Sequence, residues 1–313
     1  SKKVPKIKVS ELINLRKLSQ VLAKKSVWAK NLKKSAAIHF IVQPKLRKKK
    51  GKDGFRLINK LEFAKTIVKE AGSYLREHLH DQLAITVKTN PTDLVTQMDQ
   101  EVQATLVGKI LEAYPEDHIF AEEDDLRAPI RSGKVWVIDP IDGTNNFVTQ
   151  KEDFAVMVAY FEEGIGQFGL IYDVMRDHLF FGGMDFGVFC NEQELKPFQN
   201  RPLSDLLVAS NVGMLKSNAW GMADLGAECL GIRVYGSAGI SFAKILSGGI
   251  LGYFSYIWPW DYAAAAIMGE CLGYSVLTLE GKEPNYETLE PIMMIPTCKL
   301  DEIQPFLKKG THA

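Results

Sequence analysis

The run Val135, Trp136, Val137, Ile138, Asp139, Pro140, Ile141, Asp142, Gly143, Thr144 carries an apolar strand straight into two carboxylates that flank a proline. Two carboxylates three residues apart on a stiffened turn can share a pair of divalent cations, and the N–H groups of Gly143 and Thr144, opening a helix, can hold a phosphate. Hard oxygen donors without Cys or His favour Mg2+ over zinc. The same residues also suit a plain strand end, turn and helix cap, since Asp, Pro, Gly and Thr are favoured in each. Three more stretches offer partners. Ile119 to Asp125 is a second apolar approach ending in acids, Glu122 and Glu123 first, and reads as ligands or as a solvated acidic turn. Asp261 follows Trp258, Pro259 and Trp260 and stands where a helix N-cap would. A polar loop from Lys88 to Asp99 leads into another helix.

These residues need a scaffold, and the pattern around them supplies one. Leu61, Phe63, Ala64, Ile67, Val68, Ala71, Tyr74, Leu75 and Leu79 mark one face of a helix, and Val102, Leu106, Ile110 and Leu111 mark another, ended by Pro115. Short β-branched and aromatic runs predict strands at 135–138, 155–161, 167–173, 178–182, 207–210, 233–235, 252–258 and 275–278. Helices are expected over 238–247 and 262–272. Strands and helices mixed in this way imply a layered α/β or α+β architecture.

Composition excludes several classes. The 313 residues are 46% hydrophobic and 24% charged, the balance of a globular chain. No run approaches the roughly 18 apolar residues of a membrane span, and residues 1–5 offer no signal-peptide core, so a cytoplasmic setting is expected. Four cysteines, widely spaced and without a CxxC pair, argue against zinc fingers and disulfide scaffolds. The formal charge of zero is unevenly spread: residues 1–60 hold 19 Lys and Arg against two acids, leaving 19 basic and 36 acidic residues beyond. Residues 1–55 therefore read as a solvated basic extension, with an amphipathic helix at 11–25, and residues 56–313 as the folded domain. Such an extension suits nucleic acid or an anionic membrane surface.

In order and spacing, the four acidic or polar stretches together resemble the inositol monophosphatase family, the magnesium-dependent, lithium-sensitive phosphatases. The likeness covers residues 60–295 and implies a layered αβαβα sandwich, a homodimer and a small phosphorylated substrate. It also implies two to three Mg2+ ions. Glu122, Asp139 and the Ile141 carbonyl would take the first, Asp139, Asp142 and Asp261 the second, and Glu122 a weaker third. Asp99 would hold Thr144, and that pair would orient and deprotonate the attacking water. Gly143 and Thr144 would cradle the phosphate, Lys88 would close over the metals, and Gly236, Ser237 and Ala238 would touch the alcohol. Phosphate monoester hydrolysis needs an activated water and a neutralised leaving oxygen, both supplied by metals about 3.5–4 Å apart. No nucleophilic side chain is required, and all six histidines read as surface or structural.

One position departs from the family pattern. Relatives acting on inositol phosphate carry a Glu seven residues before the metal-binding Asp, where this chain has Phe254 among Tyr253, Tyr256 and Trp258. An apolar ring cannot replace a carboxylate acceptor, so a sugar hydroxyl there would lose its bond. The aromatics are either part of a buried strand or a pocket for a nucleotide or another sugar phosphate. A 2′- or 3′-phosphatase acting on phosphoadenosine phosphate or NADP is thus one alternative, and an RNA-associated protein with relic carboxylates is another.

Overall fold

Leu57, Leu61, Ala64, Val68, Ala71 and Leu75 recur at three- and four-residue spacing along helix α1 (Lys52–Glu77), and the stripe is buried. With Val102, Leu106 and Ile110 of helix α2 (Gln97–Ala113) it covers one face of a seven-stranded sheet. The computed structural model describes residues 52–81, 85–87 and 94–307. Lys88 and the basic stretch 1–51, with its expected helix at 11–25, lie outside the described residues. Lys52 to Gly54, expected as linker, form the first turn of α1. A small ribbon, β1 (Ile85–Val87) with β2 (Leu94–Thr96), precedes α2.

The large sheet runs β3 (His118–Ala121), β4 (Lys134–Asp142), β5 (Ala155–Glu162), β6 (Ile165–Asp173), β7 (His178–Gly183), β8 (Gly187–Cys190), β9 (Gln193–Glu194). β3 and β4 are parallel and every other neighbouring pair is antiparallel. Strand β4 is buried at all but its first residue, as a central β-branched run should be. It does not stop at Ile138 as expected but continues through Asp142, with a shift of register against β5 between Asp139 and Asp142. Pro140 has no N–H for the ladder, so the irregularity falls there.

After a short helix α3 (Thr144–Thr149) and β5–β9, the chain builds its second half. This comprises β10 (Leu207–Ser210), α4 (Val212–Ser217), α5 (Met222–Glu228), β11 (Gly231–Arg233) and α6 (Ala238–Leu246), then β12 (Tyr253–Ile257), α7 (Pro259–Cys271), β13 (Tyr274–Thr278), β14 (Glu290–Pro296) and α8 (Leu300–Leu307). Its sheet has the order β11, β10, β12, β14, β13, parallel in the first three and antiparallel thereafter. Helices α6 and α7 fill the space between the sheets, sharing a core with Val137, Met157 and Ala159 on one side and Tyr253, Ile257 and Met294 on the other. Helices α4, α5 and α8 cover the outer face of the second sheet. The result is the expected αβαβα layering. Gly169 of β6 lets α7 approach closely, because a Cβ there would stand 2.3 Å from the Ala264 carbonyl oxygen. That contact sets how closely α7, which carries Asp261 in its first turn, packs on the large sheet.

Candidate metal centre

β4 delivers Asp139 and Asp142 from one sheet, and the first turn of α7 delivers Asp261 from between the sheets. Carboxylate oxygens of these three residues lie within 4.8 Å of one another, and among the described residues no histidine or cysteine joins them. Asp139 is 1% and Asp142 6% exposed. Burial raises the Asp139 carboxyl well above the usual carboxylate range, and the charges of Glu122, Asp142, Asp261 and Asp99 push the same way. Asp261 is also raised, first by burial and then by Asp142 and Glu122. Asp139 Oδ1 is buried with no hydrogen-bond partner. A crowded all-oxygen donor set with an orphaned carboxylate oxygen fits a hard divalent cation, which would supply the missing positive charge.

The remaining acids are held at defined distances from this group. Glu122 follows β3, and its N–H donates to the carbonyl of Ile138, one residue before Asp139 (3.2 Å). It stands outside the group of three, yet its charge acts on both Asp139 and Asp261. Asp142 accepts from Ser237 Oγ and from the N–H groups of Ala238 (3.0 Å) and Gly239 (2.8 Å), the start of α6. Those donors oppose the upward effect of its burial. There is little room for a side chain at Gly239, since a Cβ would lie 2.9 Å from Met157 Sδ and 3.0 Å from Asp142 Oδ2. Asp261 is not the N-cap of α7. Trp258 occupies that position, three residues earlier, and donates its N–H to Asp261 Oδ2 (2.7 Å). The helix starts sooner than expected because Pro259 suits its first turn.

Asp99, 1% exposed, bridges two elements. Its Oδ2 accepts from the N–H (2.7 Å) and Oγ1 (2.6 Å) of Thr96, the N-cap of α2. Its Oδ1 accepts from Thr144 Oγ1 (3.1 Å), which also lies 3.0 Å from the Ile141 carbonyl oxygen. Burial raises the Asp99 carboxyl, the hydrogen bonds from Thr96 and Thr144 oppose the rise, and the charge of Glu123 adds to it. Gly143 caps α3 in the left-handed region (φ 86°), a conformation that suits glycine. Gly236 is also left-handed (φ 71°). Asn146, which the sequence reading passed over, links the two glycine turns by donating to the carbonyls of Asp153 (2.9 Å) and Tyr235 (2.7 Å).

Two further residues carried no local signal. Gln103 of α2 is fully buried and grips Glu123 at both ends of its backbone, accepting from its N–H (2.8 Å) and donating to its carbonyl (2.8 Å). Arg127 donates to the carbonyls of Ala121, Leu126 (3.1 Å) and Glu122 (3.4 Å). Phe254 is fully buried in the core under α4, α5 and α8 and offers the site no polar atom from its side chain.

A five-layer sandwich with a buried carboxylate cluster where β4 meets α6 and α7 defines a hydrolase of small phosphate monoesters. The chain belongs to the inositol monophosphatase family, whose sequence model matches residues 59–300. It is 36% identical over 229 residues to the inositol-1-monophosphatase of Bacillus subtilis (strain 168), covering 71% of this chain and 86% of that one. Among solved structures it resembles the Thermotoga maritima IMPase (26% identity, TM-score 0.73, 80% of this chain and 97% of that one). It also resembles the 2′-AMP-bound SaIMPase-II (25% identity, TM-score 0.70, 79% and 94%). Among the described residues, no helix is long and apolar enough to cross a membrane.

Proposed function

We propose that the chain uses Mg2+ and a water molecule to hydrolyse a small phosphate monoester. The observation that carries this is the convergence of carboxylate oxygens of Asp139, Asp142 and Asp261 within 4.8 Å of one another, with Asp139 Oδ1 buried and unpartnered. In this reading Glu122, Asp139 and the Ile141 carbonyl hold one cation, Asp139, Asp142 and Asp261 a second, and Glu122 serves a weaker third. When bound, the cations acidify water and neutralise charge on the leaving oxygen. The chain does the rest. Thr144 Oγ1 directs its own proton to Asp99 Oδ1, which leaves an oxygen lone pair to accept the water proton. Asp99 is the end of that relay, and Thr96 fixes its orientation. The N–H groups of Gly143 and Thr144, in the first turn of α3, orient the phosphate. Gly236, Ser237 and Ala238 border the alcohol, and Ser237 and Ala238 also hold Asp142 in place. Family likeness extends the reading to lithium inhibition, a homodimer and a cytoplasmic setting.

A second reading concerns the substrate, and Phe254 favours it. Without a carboxylate at that position an inositol hydroxyl loses its acceptor, which weakens the inositol reading relative to a nucleoside 2′- or 3′-phosphate. SaIMPase-II, a relative in fold, binds 2′-AMP. Phosphate release from inositol 1-phosphate, fructose 1,6-bisphosphate, phosphoadenosine phosphate and NADP, each with Mg2+ and with chelator, tests both readings. Release only with Mg2+ is expected, with a nucleotide preferred. Release that survives chelation refutes the metal reading, and a clear preference for inositol 1-phosphate refutes the nucleotide reading.

A further inference from the structure

Arg127 touches the turn after β3 that carries Glu122 and the first turn of α7 that carries Asp261. After β3 the chain turns through four successive acids, Glu122 to Asp125, with Asp124 (φ 61°) and Asp125 (φ 50°) in the left-handed region. It returns so that Arg127 forms a bridge with Phe120. The guanidinium reaches into this turn and donates to the carbonyls of Ala121, Glu122 and Leu126. Its Cζ also lies over Trp260, 4.8 Å from the ring centroid, and 5.6 Å from that of Phe120. Trp260 immediately precedes Asp261 and is stacked on Trp258 at 4.9 Å and 8° between planes. Trp258 in turn donates to Asp261 Oδ2. One side chain therefore clamps the peptide of Glu122 and the first turn of α7.

We propose that Arg127 is a positioning residue for the cation site, setting the separation of Glu122 from Asp261 through its hydrogen bonds to the acidic turn and its stacking on Trp260. The inference rests on the reading of the acids as a cation site. The role needs a planar fork that donates in several directions and also stacks, which Lys cannot reproduce. Groups that orient metal ligands typically affect affinity by about 10- to 100-fold.

Mn2+ binding to the whole chain, followed by the electron paramagnetic resonance signal of free Mn2+, tests this in the wild type, Arg127→Met and Arg127→Lys. The Met variant keeps an apolar stem against Trp260, and thermal unfolding of each apo protein reports whether the fold survives. Both variants should bind Mn2+ about tenfold or more weakly, and activity lost at low Mg2+ should return as Mg2+ is raised. Affinity within twofold of wild type in both variants overturns the proposal. So does full recovery by Lys, which would make charge alone sufficient. Should Arg127→Met fail to fold, the Lys variant decides by itself. Wild-type protein that binds no Mn2+ brings down the site reading, and the positioning role with it, and is told apart because no variant is needed to see it.

Discussion

At the scale of single residues, the two buried aspartates with different surroundings should fail differently. Asp139 sits between Asp142, Asp261 and Glu122 with one oxygen unpartnered, so Asp139→Asn should abolish turnover and weaken Mn2+ binding together. Asp99 is tied to Thr96 and Thr144 instead, so Asp99→Asn should leave metal binding near wild type and slow turnover by about 10²- to 10⁴-fold. Equal and small effects on rate and on Mn2+ titration would contradict the division of labour. A second expectation comes from the raised carboxyls of Asp139 and Asp261. Raised values mean that the folded chain binds these protons more tightly than the unfolded chain. Proton uptake thus supports folding as pH falls through the raised values towards the ordinary 3.8, and above them the metal-free fold carries the repulsion. A divalent cation removes that repulsion, so the rise in Tm on replacing chelator by Mg2+ should grow as pH is raised through the range where these carboxyls ionise. A rise that stays flat across this range, measured by differential scanning fluorimetry, would contradict it. The acids were legible in sequence because each ends an apolar approach or opens a helix. Gln103 and Arg127 were not, because their contacts are to backbone carbonyls and to a ring 133 positions away, for which residue type gives no signal.

At the scale of elements, α1 is fastened to the large sheet by more than its apolar stripe. Lys60 and Asp117 form an ion pair with side chains 2% and 3% exposed, and Trp136 Nε1 donates to the same Asp117 oxygen (2.9 Å). Lys60 Nζ also donates to Tyr160 Oη (2.8 Å) and lies 4.2–4.3 Å from the Tyr160 and Tyr114 rings. Burial lowers the Lys60 pKa, and Asp117 opposes the shift. Removing one partner leaves a buried charge alone, so Lys60→Met should cost about 3–5 kcal/mol in urea unfolding. The double variant Lys60→Met, Asp117→Leu should be clearly more stable than the sum of the singles. Strict additivity would mean the pair contributes nothing as a pair. The helical period gave α1 and its buried face but could not show that a lysine on it is sequestered, since Asp117 is 57 positions away. β14 went unforeseen for a related reason: Ile292 to Ile295 form a short, fully buried run without alternation, which periodicity does not separate from other apolar segments. The extension of β4 through Asp142 was hidden by Pro140 and Gly143, which read as a turn from residue preference alone.

At the scale of the whole molecule, charge separation makes a claim that no single contact makes. Residues 52–313 carry 22 Lys and Arg against 37 Asp and Glu, whereas residues 1–51 carry 16 against one. A phosphate monoester approaches as an anion, so the body repels it and the basic stretch attracts it. Such fields act over a Debye length of about 10 Å at 0.1 M salt and are screened beyond it. A chain of residues 52–313 should therefore show lower kcat/KM than the full chain at low ionic strength. The two should converge as salt is raised, with kcat unchanged because the carboxylates, Thr144 and Asp99 are all retained. The signs of the salt dependence should also differ, the full chain losing and the shortened chain gaining apparent association rate with added salt. Identical salt profiles would assign the basic stretch to something other than substrate capture. Tight, salt-sensitive retention of the full chain alone on RNA or anionic vesicles would show what it attracts instead.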